Sequence, residues 1–113
     1  MVIKLIKIQK ANDKKHKYTA IFDIDNTIKK TSFGSFNMSD YTINKDPKRK
    51  QLYINRHKKD LKTNDLTRPG FLSMGILWSR PNLKDSVDFY NSLLNDYNKN
   101  NNIEDIKKKL LFK

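Results

Sequence analysis

The sequence predicts an α+β fold, in which a small three-stranded antiparallel meander at the N-terminus is followed by three to four helices. Three observations predict this class. Residues 1–34 contain short β-branched and alternating apolar segments, residues 46–113 contain helix-start signals followed by apolar side chains at helical spacing, and the length of 113 residues suits one small domain. The chain shows no internal repeat, so we expect a single domain over residues 1–113.

The meander is predicted from residues 1–34. Residues 2–8 are apolar and β-branched, which is typical of a strand. Apolar and polar side chains then alternate over residues 17–24, which predicts a half-buried strand. The next two residues, Asp25 and Asn26, tolerate the left-handed backbone of a tight turn. Residues 27–33 are the expected return strand, and the meander ends at Gly34. Residues 35–44 are expected to form a loop or an irregular edge.

The central segment is predicted to be a basic helix over residues 46–59. Asp46 suits the N-cap position and Pro47 the first helical position, because proline lacks a backbone N–H that would be unpaired there. Lysines and Arg49 surround a face of mixed character, which consists of Leu52, Tyr53, Arg56 and His57.

Two more helices are predicted within residues 67–97. The first runs from Thr67 to Trp78 and has almost no polar face, which indicates that it is buried. Its two glycines, Gly70 and Gly75, weaken it locally but allow close packing.

The second of these helices begins after Asn82, which suits the N-cap position. Its apolar residues recur at amphipathic spacing as far as Tyr97. Residues 98–113 are predicted to form a polar break and then a short terminal helix with Ile106 and Leu110 facing inward.

Composition and charge exclude several classes of function. The 24 Lys and Arg residues against 12 Asp and Glu residues give a net charge of +12, which favours nucleic acid or an acidic protein surface as partner. With no cysteine and two histidines, we expect no disulfide, no metal site and no cofactor. No apolar run reaches the ~18–20 residues of a membrane helix. Lysines interrupt residues 1–10, so we expect no signal peptide and no secretion.

The basic segment of residues 45–62 is the candidate binding site. Ammonium and guanidinium groups on a helix can contact phosphate oxygens, and aromatic side chains between them can assist. We therefore expect nonspecific contact with the phosphate backbone of nucleic acid, made by Lys45, Lys48, Arg49, Lys50, Tyr53, Arg56, His57, Lys58 and Lys59.

Structural roles are the alternative for these side chains. A run of lysines is often only a solvated surface. Arg56 and His57 could instead hold the helix against the sheet, through Asp40 or through a backbone carbonyl.

Three aromatic residues outside this segment leave similar alternatives open. Trp78 lies in a nearly all-apolar helix, so it is a core residue more often than a platform for base stacking. Phe36 and Tyr41 lie among small and polar residues, where they could stack on bases, anchor a protein partner or fold back over the core.

Residues 20–27 consist of a hydrophobic strand followed by Asp23, Asp25 and Thr27. This octapeptide resembles the first motif of the haloacid dehalogenase-like phosphatases. The resemblance implies that Asp23 attacks phosphorus as the nucleophile and that Asp25 is the acid/base. That family uses a parallel sheet and a further acidic motif for Mg²⁺, and no such motif follows in this chain. A hairpin with outward-facing polar residues is the alternative explanation.

A longer pattern is spread over residues 33–83. It consists of Phe33-Gly34, Ser39-Asp40-Tyr41-Thr42, Lys45-Asp46, Arg49, Tyr53-Ile54, Arg56-His57, Thr67, Gly70-Phe71-Leu72-Ser73, Ile76-Leu77-Trp78, Pro81 and Leu83. The pattern is similar to a small basic protein family of unknown function from giant DNA viruses of the mimivirus and phycodnavirus group. Residues 60–66 depart from it, since similar proteins place a tryptophan there. The resemblance implies a viral origin and supplies no activity.

Together these features predict a small basic non-enzymatic viral protein that binds nucleic acid nonspecifically. The resemblance implies a place in the virion or in the viral factory of the host-cell cytoplasm. The alternative is a capsid-associated structural protein, which would bind other capsid proteins through an apolar patch at residues 33–41 or 71–78. A phosphatase fragment is the third alternative.

Overall fold

A computed structural model describes residues 1–111 and confirms the predicted α+β class: a three-stranded antiparallel sheet is followed by helices. The strands pair in the order β1-β2-β3, as a meander requires. The elements in chain order are β1 (Ile3–Lys10), β2 (His16–Ile24), β3 (Thr27–Ser35), α1 (Tyr41–Asn44), α2 (Pro47–His57), a 3₁₀ segment (Lys58–Thr63), α3 (Pro69–Leu72), a π-helical turn (Ser73–Leu77), α4 (Leu83–Asn100) and α5 (Ile103–Leu111).

The hairpin between β2 and β3 is closed by the predicted turn. Asp25 and Asn26 have φ angles of 50° and 71°, which two-residue hairpin turns require and which Asp and Asn tolerate. Asp23 Oδ1 accepts a hydrogen bond from Asn26 N at 2.8 Å, and Asp25 Oδ1 accepts one from Val2 N at 2.8 Å. Both carboxylates therefore stabilise the hairpin and the start of β1.

One face of the sheet supplies the core, as the alternating pattern predicts. Ala20, Phe22 and Phe33 are completely buried there. The opposite face is less exposed than a half-buried strand predicts, because Ile21 is only 8% exposed. Lys7 and Lys30 flank Ile21 in register on the two neighbouring strands, where their aliphatic stems can cover it.

The helix that was expected to be buried passes through the centre of the core. Its backbone changes from α to π geometry at Ser73, and the five residues Met74–Trp78 are all buried. Gly75 lies against Tyr90 of α4, because a Cβ atom at this position would stand 2.3 Å from Tyr90 Cδ1. The Tyr90 hydroxyl donates a hydrogen bond to the carbonyl oxygen of Leu66 at 2.5 Å. The predicted close packing at Gly75 is thereby confirmed.

β1 and β3 each end two residues later than predicted, at Lys10 and Ser35. Three further differences concern the segments around α2 and the end of α4. The expected loop before the basic helix contains the helical turn α1, which the Asp40 side chain caps at Thr42 N. The basic helix ends at His57 and continues as the 3₁₀ segment.

The third difference is that α4 extends through Asn100, where a polar break was predicted from residue 98. Asn98 lies inside the helix, and its side chain bonds both the N–H and the carbonyl of Ile3 at 2.9 Å. Asn101, with φ 52°, then ends α4. Ile106 and Leu110 of α5 face inward as predicted, whereas residues 112–113 of that predicted segment lie outside the described residues.

Asp65 predicts that the fold loses stability in acid. Partial burial acts to raise the pKa of Asp65, but hydrogen bonds from Thr67 and the nearby charges of Lys29 and Arg68 lower the pKa below its usual 3.8. Thr67 donates from N at 2.9 Å and from Oγ1 at 2.6 Å. Because the folded-state pKa is the lower one, this stabilisation is present above the unfolded-state pKa and is lost as the pH falls through the folded-state pKa.

We therefore expect the free energy of unfolding, measured in urea, to be smaller at about pH 3 than at about pH 6. Asp65→Asn should be destabilising at the higher pH and should reduce the pH dependence. The exposed Asp88→Asn is the matched control. An equal pH dependence in wild type and Asp65→Asn would show that Asp65 does not contribute.

Among residues 1–111, no helix combines the length and the apolar character needed to cross a membrane.

Candidate functional site

A groove of about 550 Å³ lies between the sheet and α2. Residues 15–17, at the entry to β2, line one side, and five residues of α2 line the other: Arg49, Leu52, Tyr53, Arg56 and His57. Phe33, Leu77 and Trp78 are buried core residues that also line it. The volume falls in the range of ~300–1,000 Å³ that is usual for ligand sites. The shared face predicted for the basic helix is confirmed, because Leu52, Tyr53, Arg56 and His57 all line this groove.

Three aromatic rings form a stack along the groove. The rings of Trp78 and Tyr53 are nearly parallel, with centroids 4.5 Å apart, and those of Tyr53 and His57 are 4.2 Å apart. Burial raises the pKa of the Tyr53 phenol to about 12, so this hydroxyl is neutral at physiological pH. His57 Nδ1 lies 3.0 Å from Asp60 Oδ2, and the His57 side chain is 39% exposed. The stack therefore begins in the core and ends at the groove surface.

Asp40 connects the segment before α2 to the sheet. Its carboxylate is 2% exposed, accepts hydrogen bonds from Thr42 N at 2.9 Å and from Thr42 Oγ1, and forms an ion pair with Lys17 Nζ. The alternative that Arg56 or His57 binds Asp40 is wrong, because Lys17 occupies that position and His57 bonds Asp60. Asp40 thus connects β2 to α1.

Two of the nine predicted contact residues are engaged within the fold. Lys45 Nζ donates to the carbonyl oxygens of Pro81 and Thr42. Lys50 is partly buried, donates to Ser79 O at 2.8 Å and lies over the Tyr41 ring, 5.1 Å from its centroid. Burial and the charge of Arg80 lower the pKa of Lys50. These two lysines hold α1 and α2 against the residues that precede α4.

Five of the predicted residues form an exposed cationic surface, named here the basic surface: Lys48, Arg49, Arg56, Lys58 and Lys59. In the described part of the chain, no acidic side chain forms a salt bridge with any of them. The backbone N–H groups at the start of α2 are not available to an anion, because Asp46 accepts from Lys48 N and Arg49 N. Any contact with phosphate would therefore be made by side chains. Tyr53 and His57, the last two predicted residues, belong to the aromatic stack.

The opposite wall of the groove was missed by the sequence analysis. Of Lys15, His16 and Lys17, only Lys17 falls in a predicted element, at the start of the strand expected over residues 17–24, and nothing local marks the three as site residues. His16 Nδ1 lies 2.9 Å from Asp13 Oδ2, and this hydrogen bond lowers the pKa of Asp13. Lys15 is exposed, so the groove has a cation on each side.

The structure shows where the three aromatic residues lie whose roles the sequence leaves open. Trp78 is a core residue, 8% exposed, that begins the stack. Tyr41 is half-buried beneath Lys50, whereas Phe36 is 58% exposed.

The phosphatase-like octapeptide has no matching architecture around it. Asp23 and Asp25 are hairpin residues of an antiparallel sheet, whereas the phosphatase motif requires a parallel one. Within residues 1–111, no cluster of three or more His, Asp or Glu side chains could hold a metal ion. The hairpin explanation accounts for these residues.

Comparison with known proteins yields a similarity to one family but no activity. The model of a family of unknown function, DUF5754, matches residues 6–57, which include most of the sheet and all of α2. The chain is thus similar to that family over both walls of the groove. No curated protein and no solved structure shows a significant match.

Proposed function

We propose that this chain is a small non-enzymatic protein that binds nucleic acid nonspecifically through its basic surface. The observation that carries the proposal is the exposure of five Lys and Arg side chains on one segment with no acidic partner in the described residues. A nucleic acid that approaches this surface would place phosphates near these cations and release condensed counterions, which drives binding without base recognition.

Viral origin and association with the virion belong to the same proposal. They are supported by the resemblance of residues 33–83 to the giant-virus family. Many of the residues that carry this resemblance line the groove, including Phe33, Asp40, Arg49, Tyr53 and Trp78. A compact basic domain would suit the packaging of a long anionic genome.

A capsid-associated structural role is the second candidate. It is favoured by four large apolar side chains that lie on the surface near the groove or in the segment before α2, each 58–64% exposed: Phe36, Met38, Ile43 and Leu52. Exposed apolar side chains of this kind often mark protein contacts.

The test compares two triple variants that remove the same charge from different surfaces. Lys48→Gln/Lys58→Gln/Lys59→Gln alters the basic surface, and Lys4→Gln/Lys7→Gln/Lys10→Gln alters β1, where all three lysines are also exposed. Binding to labelled mixed-sequence double-stranded DNA is measured by fluorescence anisotropy at one low salt concentration. We expect the first variant to bind at least about tenfold more weakly than wild type and the second to change Kd by less than about threefold.

Equal losses in the two variants would show that only the total charge matters and would contradict a localised surface. No saturable binding by wild type would contradict nucleic-acid binding and favour the capsid partner.

A further inference from the structure

The aromatic stack has a free end in the groove. One face of the His57 ring is covered by Tyr53, and its Nδ1 edge is bonded to Asp60. The side chain is nevertheless 39% exposed and lines the groove, so the part of the ring that Tyr53 and Asp60 do not cover is accessible to a ligand. An aromatic ligand could add a further ring there, and histidine is among the side chains on which unpaired bases stack.

Two arginines border the same groove. Arg49 and Arg56 are seven residues apart on α2 and both line the groove, so they lie two helical turns, or about 10 Å, apart along the helix axis. Both arginines are exposed, and neither forms a salt bridge among residues 1–111. The two carboxylates in the groove, those of Asp40 and Asp60, are already bonded to Lys17 and His57. The cations available to a ligand therefore outnumber the free carboxylates.

The groove suits a single-stranded nucleic acid better than a duplex. Its volume of about 550 Å³ can hold a nucleotide. A duplex offers its phosphates to a surface but keeps its bases stacked inside, and exposing one base costs the free energy of unstacking and unpairing it. In a single strand the base is already unpaired, so this cost is smaller. A cationic groove with an aromatic platform is the usual arrangement for binding a single strand.

We propose that the groove binds a single-stranded segment of nucleic acid, with one base stacked on His57 and the flanking phosphates held by Arg49 and Arg56. This inference rests on the proposed function and narrows it, because it adds a preference for single strands. DNA and RNA share the required chemistry, an aromatic base between phosphates.

The first test separates the ring of His57 from its hydrogen bond. His57→Ala and His57→Phe both lose the bond to Asp60, but only His57→Phe keeps a ring against Tyr53. Affinities for a short labelled oligothymidylate, for oligouridylate and for a mixed-sequence duplex are measured at the same salt concentration. We expect wild type to prefer a single strand by about tenfold, His57→Ala to lose most of that preference and His57→Phe to retain it. The two homopolymers distinguish DNA from RNA.

The second test concerns the arginines. Arg49→Gln/Arg56→Gln removes two charges from the groove, and Lys58→Gln/Lys59→Gln removes two charges just beyond it. We expect the first pair to reduce the ratio of single-strand to duplex affinity, and the second pair to weaken both affinities in proportion. Circular dichroism at increasing temperature checks that each variant is folded.

The outcomes separate the two proposals. Binding of both forms with equal affinity in wild type, or an unchanged preference in both His57→Ala and Arg49→Gln/Arg56→Gln, would overturn the single-strand inference and leave the proposed function standing. Absence of binding to every oligonucleotide would overturn the proposed function and this inference together.

Discussion

Replacing Asp40 by alanine is expected to cost about 3–5 kcal/mol of folding free energy, the usual effect of removing one partner of a buried ion pair. The carboxylate is 2% exposed, and the Lys17 side chain that pairs with it is 11% exposed. The substitution would leave an ammonium group without its partner and would remove the acceptor that caps α1 at Thr42. Such a loss is a large part of the ~5–15 kcal/mol that stabilises a typical domain.

Urea denaturation followed by circular dichroism measures this cost. Asp40→Asn is the matched control, because it keeps an oxygen that can accept from Thr42 N and removes only the charge, so its cost should be smaller. Lys17→Met combined with Asp40→Asn should cost less than the sum of the two single changes. A loss below about 1 kcal/mol for Asp40→Ala would contradict the role of a buried structural ion pair.

Gly75→Ala is expected to destabilise the fold by about 3 kcal/mol or more, although alanine is ordinarily the better helix former. The new Cβ would stand 2.3 Å and 2.4 Å from two ring carbons of Tyr90, and 3.3 Å from Leu110 Cδ2. Tyr90 cannot turn away easily, because its ring is completely buried and its hydroxyl is bonded to Leu66 O. Thermal unfolding should show a Tm lower by more than about 10 °C.

A second substitution tests whether contact with the Tyr90 ring causes the loss of stability in Gly75→Ala. Tyr90→Ala removes the ring that the new methyl group would meet, so Gly75→Ala should cost little when added to Tyr90→Ala. If Gly75→Ala is as costly in that background as in wild type, the clash with Tyr90 is not the cause. A Tm equal to that of wild type for Gly75→Ala alone would show that the core yields without strain.

The sequence predicts the elements of this fold well because their signals are local. Asp46 and Pro47 mark the start of α2, and Asp25 with Asn26 marks the hairpin turn. The end of α4, by contrast, depends on a distant contact. Nothing near Asn98 indicates that its side chain bonds the backbone of Ile3, 95 residues away, and that contact lies within the last turn of α4.

The groove itself is not predictable from local patterns. It exists because the meander brings Lys15 opposite Arg49 and Arg56, which are more than thirty residues further along the chain. Within the basic helix, the sequence also cannot separate Lys50, which bonds Ser79 O, from its exposed neighbour Arg49. Adjacent helical residues point about 100° apart, so only packing decides which of them remains free.

The most direct test of nucleic-acid binding by the basic surface is the salt dependence of wild-type binding to double-stranded DNA. Each phosphate neutralised by Lys or Arg adds about −0.9 to the slope of log K against log salt concentration. If the basic surface binds the phosphates, the wild-type slope should be steep, and Lys48→Gln/Lys58→Gln/Lys59→Gln should make it shallower by about one for each phosphate that the variant no longer neutralises. A flat slope, or the same slope in wild type and this variant, would contradict the binding of phosphates by the basic surface.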